Sequence, residues 1–148
     1  MTADPGQLTL HLERVLHAPR SLVFRAHSEP DELARWWGPK GFAAPSIELD
    51  LRVGGSYRIA MQPPEGRQFY LQGEFRDVDP PAGLAYTFRW EDPDPDDQET
   101  VVTLSLSDLG GSTELIVDQG VFATQARRAL HEQGWGESLY RLQELFSN

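Results

Sequence analysis

The sequence predicts a single α+β domain in which an antiparallel sheet packs against a long C-terminal helix. The chain has 148 residues, which is the size of one ordinary domain. Six segments with the two-residue period of β-strands follow one another in its middle, and a segment with helical period ends it. Because the strands run together and the helices are segregated from them, the order favours an α+β fold over alternating units.

The N-terminal part predicts one strand followed by two short helices. Between residues 8 and 16 leucines alternate with mostly polar residues, except that Arg14 takes one of the leucine positions. Pro19 suits the first turn of a helix, where its missing N–H costs nothing. A second helix is predicted to begin at Ser28 or Glu29, to run through Trp37 and to end before Pro39.

The middle of the chain predicts an antiparallel meander, because clusters of turn-forming residues separate its apolar segments. The predicted strands cover residues 46–51, 56–61, 68–78, 84–90, 100–106 and 113–119. Residues 123–146 then have apolar residues at three- and four-residue spacings, as an amphipathic helix requires, with Ala126, Ala129 and Leu130 in its first half. Gly134 and Gly136 interrupt this helical pattern.

Composition excludes several chemistries and partners. The chain has no cysteine, so it forms no disulfide and no thiolate zinc site. A net charge of −10 disfavours nucleic acid, and no apolar run approaches the roughly 18 residues that cross a bilayer. The N-terminus lacks the features of a signal peptide, so we expect a cytoplasmic protein without membrane insertion.

No metal or cofactor is predicted. The four histidines form no pair at four-residue spacing, and we expect them to be exposed or hydrogen-bonded. The acidic stretch from 92 to 97 imitates a calcium loop, but its sixth position is Asp97 instead of glycine and its twelfth is Thr103 instead of glutamate. We therefore expect a solvated hairpin loop.

Several short motifs, in a fixed order, extend over residues 8 to 146. They are Glu13-Arg14, APRSLVF at 18–24, LARWWGPKGF at 33–42, DLRVGGSYR at 50–58, Gly73-Glu74-Phe75, Pro80-Pro81, Gly134-Trp135 and LYRL at 139–142. Together they resemble the family named for activators of the heat-shock-protein-90 ATPase. This family is a branch of the SRPBCC superfamily, which includes START domains and the birch-pollen allergen.

The resemblance implies a helix-grip fold over residues 1–148, with its core at 8–146, in which a curved antiparallel sheet wraps around the C-terminal helix. In such folds the space between sheet and helix holds an apolar ligand. His27 stands where the family often has tryptophan, and we expect it to tune packing at the edge of the pocket. The eukaryotic co-chaperone has an additional N-terminal domain, so its activity is not carried over to this chain.

The residues expected to line the pocket are mainly those that face inward by the two-residue period. These side chains either fill the core completely or surround a cavity. Gly73 among large neighbours either leaves space for a ligand or marks a bulge that bends the sheet. The predicted ligand-binding residues are Arg14, Trp36, Trp37, Phe42, Tyr57, Ile59, Met61, Phe69, Leu71, Gly73, Phe75, Tyr86, Phe88, Trp90, Trp135 and Leu139.

Arg14 and the two adjacent tryptophans have further alternatives. A guanidinium on an inward face either meets a ligand carboxylate, forms an internal ion pair, or returns to solvent through a bulge. On a helix Trp36 and Trp37 would point about 100° apart, so only one can face the core squarely. Together with the segment from Gly38 to Phe42 they either form a lid or simply anchor the helix.

Three functions are consistent with these features. The first is a non-enzymatic carrier or sensor of an apolar or amphipathic molecule, with no catalytic residue. The second is an enzyme similar to polyketide cyclases, for which Glu13, Glu74, Tyr57 and Tyr86 are the candidate proton-transfer groups. The third is a protein-binding domain whose acidic surface attracts a basic partner, including a chaperone. A homodimer is left open.

Overall fold

A computed structural model describes residues 7–147 and contains seven strands and three helices in the predicted order. The strands are β1 (Thr9–Leu16), β2 (Ile47–Leu49), β3 (Ser56–Met61), β4 (Phe69–Asp79), β5 (Gly83–Trp90), β6 (Thr100–Asp108) and β7 (Thr113–Gly120). The helices are α1 (Arg20–Ser28), α2 (Pro30–Leu33) and α3 (Gln125–Leu145). None of these three helices has the length and apolar character needed to cross a bilayer.

The seven strands form one curved antiparallel sheet in the order β1-β7-β6-β5-β4-β3-β2. The two-residue period predicted the strands well because their buried and exposed residues alternate, most regularly in β6. The predicted α+β helix-grip fold is confirmed. Since α3 follows β7 directly, the last helix returns across the concave face of the sheet and encloses the space between them.

The second predicted helix is shorter than expected. It ends at Leu33, and the chain then turns through residues 34–36. Both tryptophans are therefore buried, contrary to the expectation for a continuing helix. Trp36 has 0% of its surface exposed and donates a hydrogen bond from Nε1 to the Ala26 carbonyl at 2.9 Å. Trp37 packs edge-on against Trp36 and donates a hydrogen bond from Nε1 to the sulfur of Met61 at 3.1 Å.

The final helix is continuous through Gly134 and Gly136, so the predicted interruption is wrong. Its buried residues, Trp135, Ser138, Leu139 and Leu142, all lie in its second half. The expected apolar stripe in the first half is not buried, because the residues at positions 126, 129 and 130 are exposed. The first half of α3 therefore lies over a space that protein side chains do not fill.

The Gly73 position is explained by a close approach of backbones. A Cβ atom there would lie far inside contact distance of the Thr87 carbonyl oxygen and 2.8 Å from Cε1 of Tyr57. The Tyr57 ring instead passes over the glycine, and its hydroxyl donates to the same Thr87 oxygen at 2.6 Å. Of the two alternatives for this glycine, space for a ligand is excluded. A β-bulge between Phe75 and Asp77 does lie just beyond it in β4.

Candidate ligand-binding cavity

A cavity of about 500 Å³ lies between the sheet and one face of α3. From α3 it is lined by residues at three- and four-residue spacing, namely Arg127, Leu130, His131, Gly134, Trp135 and Ser138. The sheet contributes Met61, Phe69, Tyr70, Phe88 and Trp90, and the segment after α2 contributes Trp37, Gly38, Pro39 and Phe42. Leu130 is 57% exposed, which places the open side of the cavity along the first half of α3.

Buried hydrogen bonds hold the inner wall of the cavity in place. Trp135 donates from Nε1 to Oε1 of Gln119 at 2.8 Å, and Gln119 in turn donates to the hydroxyl of Thr100 at 2.9 Å. The Trp37 ring packs edge-on against Trp135, with 5.5 Å between ring centroids. Because the indole N–H groups are satisfied within the protein, the two tryptophans present apolar ring surface to the cavity.

His131 lies in an aromatic surrounding on the cavity wall. Its ring centroid is 4.9 Å from that of Phe122, 5.3 Å from that of Phe88 and 6.2 Å from that of Trp90. Burial lowers the pKa of His131 to about 4, so the imidazole is neutral at physiological pH. Its ring nitrogens form no hydrogen bond with any residue of the described segment 7–147. The expectation of an exposed or hydrogen-bonded histidine is therefore wrong here.

The acidic loop after β5 is fastened to the start of α3 by Arg127. This guanidinium donates to Asp94 at 3.0 Å and to Asp96 at 2.9 Å, and its Nε lies 3.2 Å from Asp97 in an ion pair. The hydrogen bond from Arg127 lowers the pKa of Asp96. Thr124 caps the helix by accepting from the Arg127 N–H and also donates to Asp96. The loop is thus built into the cavity rim, and the Asp97 side chain is only 9% exposed.

Two residues of α3 hold the segment from Gly38 to Phe42 against the cavity. Nη1 of Arg141 lies 3.0 to 3.4 Å from the carbonyl oxygens of Trp37, Gly38, Pro39 and Phe42. The Lys40 N–H donates to Glu137 at 2.9 Å, which lowers the pKa of that carboxyl group. The segment is therefore a fixed wall of the cavity in this conformation.

Replacing Arg141 with methionine should lower the free energy of unfolding by about 2 to 3 kcal/mol, because charged hydrogen bonds are lost and several half-buried carbonyl groups are left without a donor. Urea denaturation measures the change. The exposed Arg76, which forms no ion pair among the described residues, provides the matched Arg76→Met control, with an expected change below about 0.5 kcal/mol. Equal effects of the two substitutions would show that Arg141 does not hold the segment.

A second cavity of about 20 Å³ holds little more than one water molecule. It is bordered by Tyr57, Tyr86 and His27. His27 packs edge-on against Trp36 at 4.7 Å between centroids, and its buried Nε2 has no hydrogen-bond partner. Burial lowers the pKa of His27 to about 3, and burial also raises the pKa of both tyrosines. The expectation of an exposed or hydrogen-bonded histidine is wrong for His27 as well.

The structure divides the predicted ligand-binding residues into three groups. Those on the large cavity are Trp37, Phe42, Met61, Phe69, Phe88, Trp90 and Trp135. On the small cavity are Tyr57, Ile59, Phe75 and Tyr86. The residues that border neither cavity are Arg14, Trp36, Leu71, Gly73 and Leu139. Trp36, Leu71 and Leu139 are packed in the core, and Gly73 lies against the Thr87 carbonyl.

Within the part of the chain that the structure describes, Arg14 forms neither the internal ion pair nor the bulge that were considered for it. It is half-buried on β1 opposite Leu115, and the pairing of β1 with β7 is regular, so no bulge returns it to solvent. It forms no ion pair with the described residues, and its Nη1 donates to the Glu13 carbonyl oxygen at 2.8 Å. A role in ligand binding finds no support in this position.

Sequence reasoning missed the polar part of the large cavity, which consists of His131, Arg127 and the acidic loop. A signal for these residues was present on α3. Arg127, His131, Gly134 and Ser138 lie on the helix face that also carries the core residue Trp135, where a fully packed helix would have apolar side chains.

The sheet, the two short helices after β1 and the long final helix define a helix-grip domain with a cavity between sheet and helix. The family model "Activator of Hsp90 ATPase homolog 1-like protein" matches residues 17–147, and the chain therefore belongs to that family. This confirms the resemblance seen in the motifs. A comparison with curated proteins found no match.

Solved structures of bacterial proteins have the same fold. The crystal structure of protein CV1439 from Chromobacterium violaceum is 30% identical, with a TM-score of 0.87, over 95% of this chain and 98% of that one. The AHSA1 protein from Silicibacter pomeroyi is 29% identical, with a TM-score of 0.81, over 92% of this chain and 95% of that one. The similarity covers nearly the full length in both cases.

Proposed function

We propose that this protein binds a small apolar or amphipathic molecule between the sheet and α3, as a non-enzymatic carrier or sensor. The observation that carries the proposal is the cavity of about 500 Å³, which lies within the usual range of about 300 to 1,000 Å³ for ligand pockets. Its walls present the rings of Trp37, Trp90 and Trp135, which supply apolar contact area at low conformational cost.

The positions of the proton-transfer candidates favour binding over catalysis. Glu13 and Glu74 are exposed and border neither cavity. Tyr57 and Tyr86 border only the small cavity, and burial raises the pKa of each hydroxyl. Since none of the four candidates lines the large cavity, a molecule bound there would meet none of them as acid or base.

Titration with neutral apolar compounds, from decanol to naphthylmethanol, should give a saturable change in tryptophan fluorescence, because three of the four tryptophans line the cavity. Gly134→Leu should weaken binding at least about tenfold by filling the space opposite Pro39, a loss of about 1.4 kcal/mol. Gly136→Leu is the matched control, because a Cβ at Gly136 meets no atom within 4 Å. Absence of binding across the panel, or equal binding by the two variants, would contradict the proposal.

A further inference from the structure

The charged residues of the large cavity are all on one side. They are Asp92, Asp94 and Asp97 on the loop after β5, together with Arg127 in the first turn of α3. The remaining wall is formed by aromatic, aliphatic, small and hydroxyl side chains and by neutral His131. A bound molecule would therefore meet an apolar environment over most of its surface and a charged one at a single end.

The charged end of the cavity carries a net negative charge. The Arg127 side chain is only 17% exposed and already donates to Asp94 and Asp96 while pairing with Asp97. A ligand carboxylate could reach this guanidinium only by displacing one of those partners. Asp92, in contrast, has no ion pair and no side-chain hydrogen bond within residues 7–147. Three carboxylates against one guanidinium leave a surplus of negative charge on the cavity rim.

Two aromatic groups beneath the loop also suit a cation. Trp90 lines the cavity, and an indole ring attracts a cation more strongly as water is excluded. His131 lies beside it, and its neutral imidazole has an unused lone pair that accepts a hydrogen bond from an ammonium group. Because this imidazole is uncharged at physiological pH, it does not repel a cation.

Building on the proposed function, we propose that the ligand is an amphipathic cation. Its apolar body lies between the sheet and α3, and its protonated amine lies under the acidic loop against Trp90, His131 and Asp92. This differs from one of the alternatives considered for Arg14, a contact with a ligand carboxylate. The charged end of the ligand is thus assigned to the loop after β5 and not to β1.

Three probes that share one ring test the proposal by calorimetry at neutral pH, namely naphthylmethylamine, naphthylmethanol and naphthoic acid. We expect the amine to bind at least about tenfold more tightly than the acid, and its advantage to shrink as salt is added. Equal or tighter binding of the acid would overturn the inference while leaving the proposed function intact. Failure of all three probes to bind would overturn both.

Two substitutions test whether the amine of the ligand binds beside Asp92. Asp92→Asn should weaken the amine about threefold to tenfold and weaken the alcohol less, since only the cation is attracted by the charge of the carboxylate. Glu144→Gln removes the same charge from an exposed position away from the cavity and should alter neither affinity. If Asp92→Asn and Glu144→Gln weaken the amine equally, the preference comes from net charge alone and the assigned position of the amine is wrong.

Discussion

Gly73→Ala should lower the free energy of unfolding by at least about 3 kcal/mol, or prevent folding altogether. The new Cβ would overlap the backbone carbonyl of Thr87 and press on the Tyr57 ring, which lies 2.8 Å from the Cβ position. This overlap can be removed only if β4 separates from β5 or if the hydrogen bond from the Tyr57 hydroxyl to Thr87 is lost. Either change costs substantial free energy, because Tyr57 and Thr87 are both buried.

Guanidinium denaturation of Gly73→Ala beside Gly136→Ala separates this steric effect from the general consequence of removing a glycine. Gly136 is inside α3 with open space around its Cβ position, so alanine there should raise stability by about 0.5 to 1 kcal/mol through backbone entropy. A change within about 0.5 kcal/mol for Gly73→Ala would mean that β4 and β5 can separate easily at this point.

Acid should destabilise the protein through its buried histidines, and His27→Phe should remove part of this effect. Burial holds the pKa of His27 near 3 in the folded state, whereas an unfolded histidine titrates near 6.5. Above about pH 6.5 both states are neutral and the group causes no pH dependence. As the pH falls below that value only the unfolded chain binds the proton, so stability falls by about 1.4 kcal/mol per pH unit.

The measurement compares unfolding free energies of the native protein and of His27→Phe at neutral pH and at about pH 4.5, two units below the unfolded pKa. The native protein should lose about 2 to 3 kcal/mol more than the variant over this interval. His17→Gln, at an exposed position, should follow the native protein. A parallel loss in His27→Phe would show that His27 takes up its proton without unfolding.

The strands could be predicted because the alternation of inward and outward side chains is a local property of the sequence. All seven strands were anticipated with small differences at their ends. The extent of α2 could not be predicted, because the spacing of Leu33, Trp36 and Trp37 is compatible with a helix and with the tighter turn that buries both indoles. Only the packing against His27 and Met61 decides between them.

The cavity itself depends on long-range geometry that no local pattern contains. Inward aromatic residues mark a concave wall, but whether they meet other side chains or space depends on how far α3 stands from the sheet. Arg127 fastens that helix to a loop about thirty residues earlier in the chain, and Arg141 fastens it to a segment about a hundred residues earlier. A periodic pattern cannot reveal contacts between residues so far apart in the sequence. The polar end of the site was therefore missed, while most of its apolar wall was predicted.

The unequal packing of α3 gives its two halves different roles in the cooperativity of the molecule. The second half, anchored by Leu139 and Leu142, can open only together with the core. The first half is joined to the rest through the cap at Thr124, the ion pairs of Arg127 and the ring contacts of the partly buried His131, so it is expected to form a separate, less protected unfolding unit. A ligand bound beneath the first half of α3 would supply the apolar contacts that this half lacks. Ligand binding would therefore make the whole helix unfold together with the core.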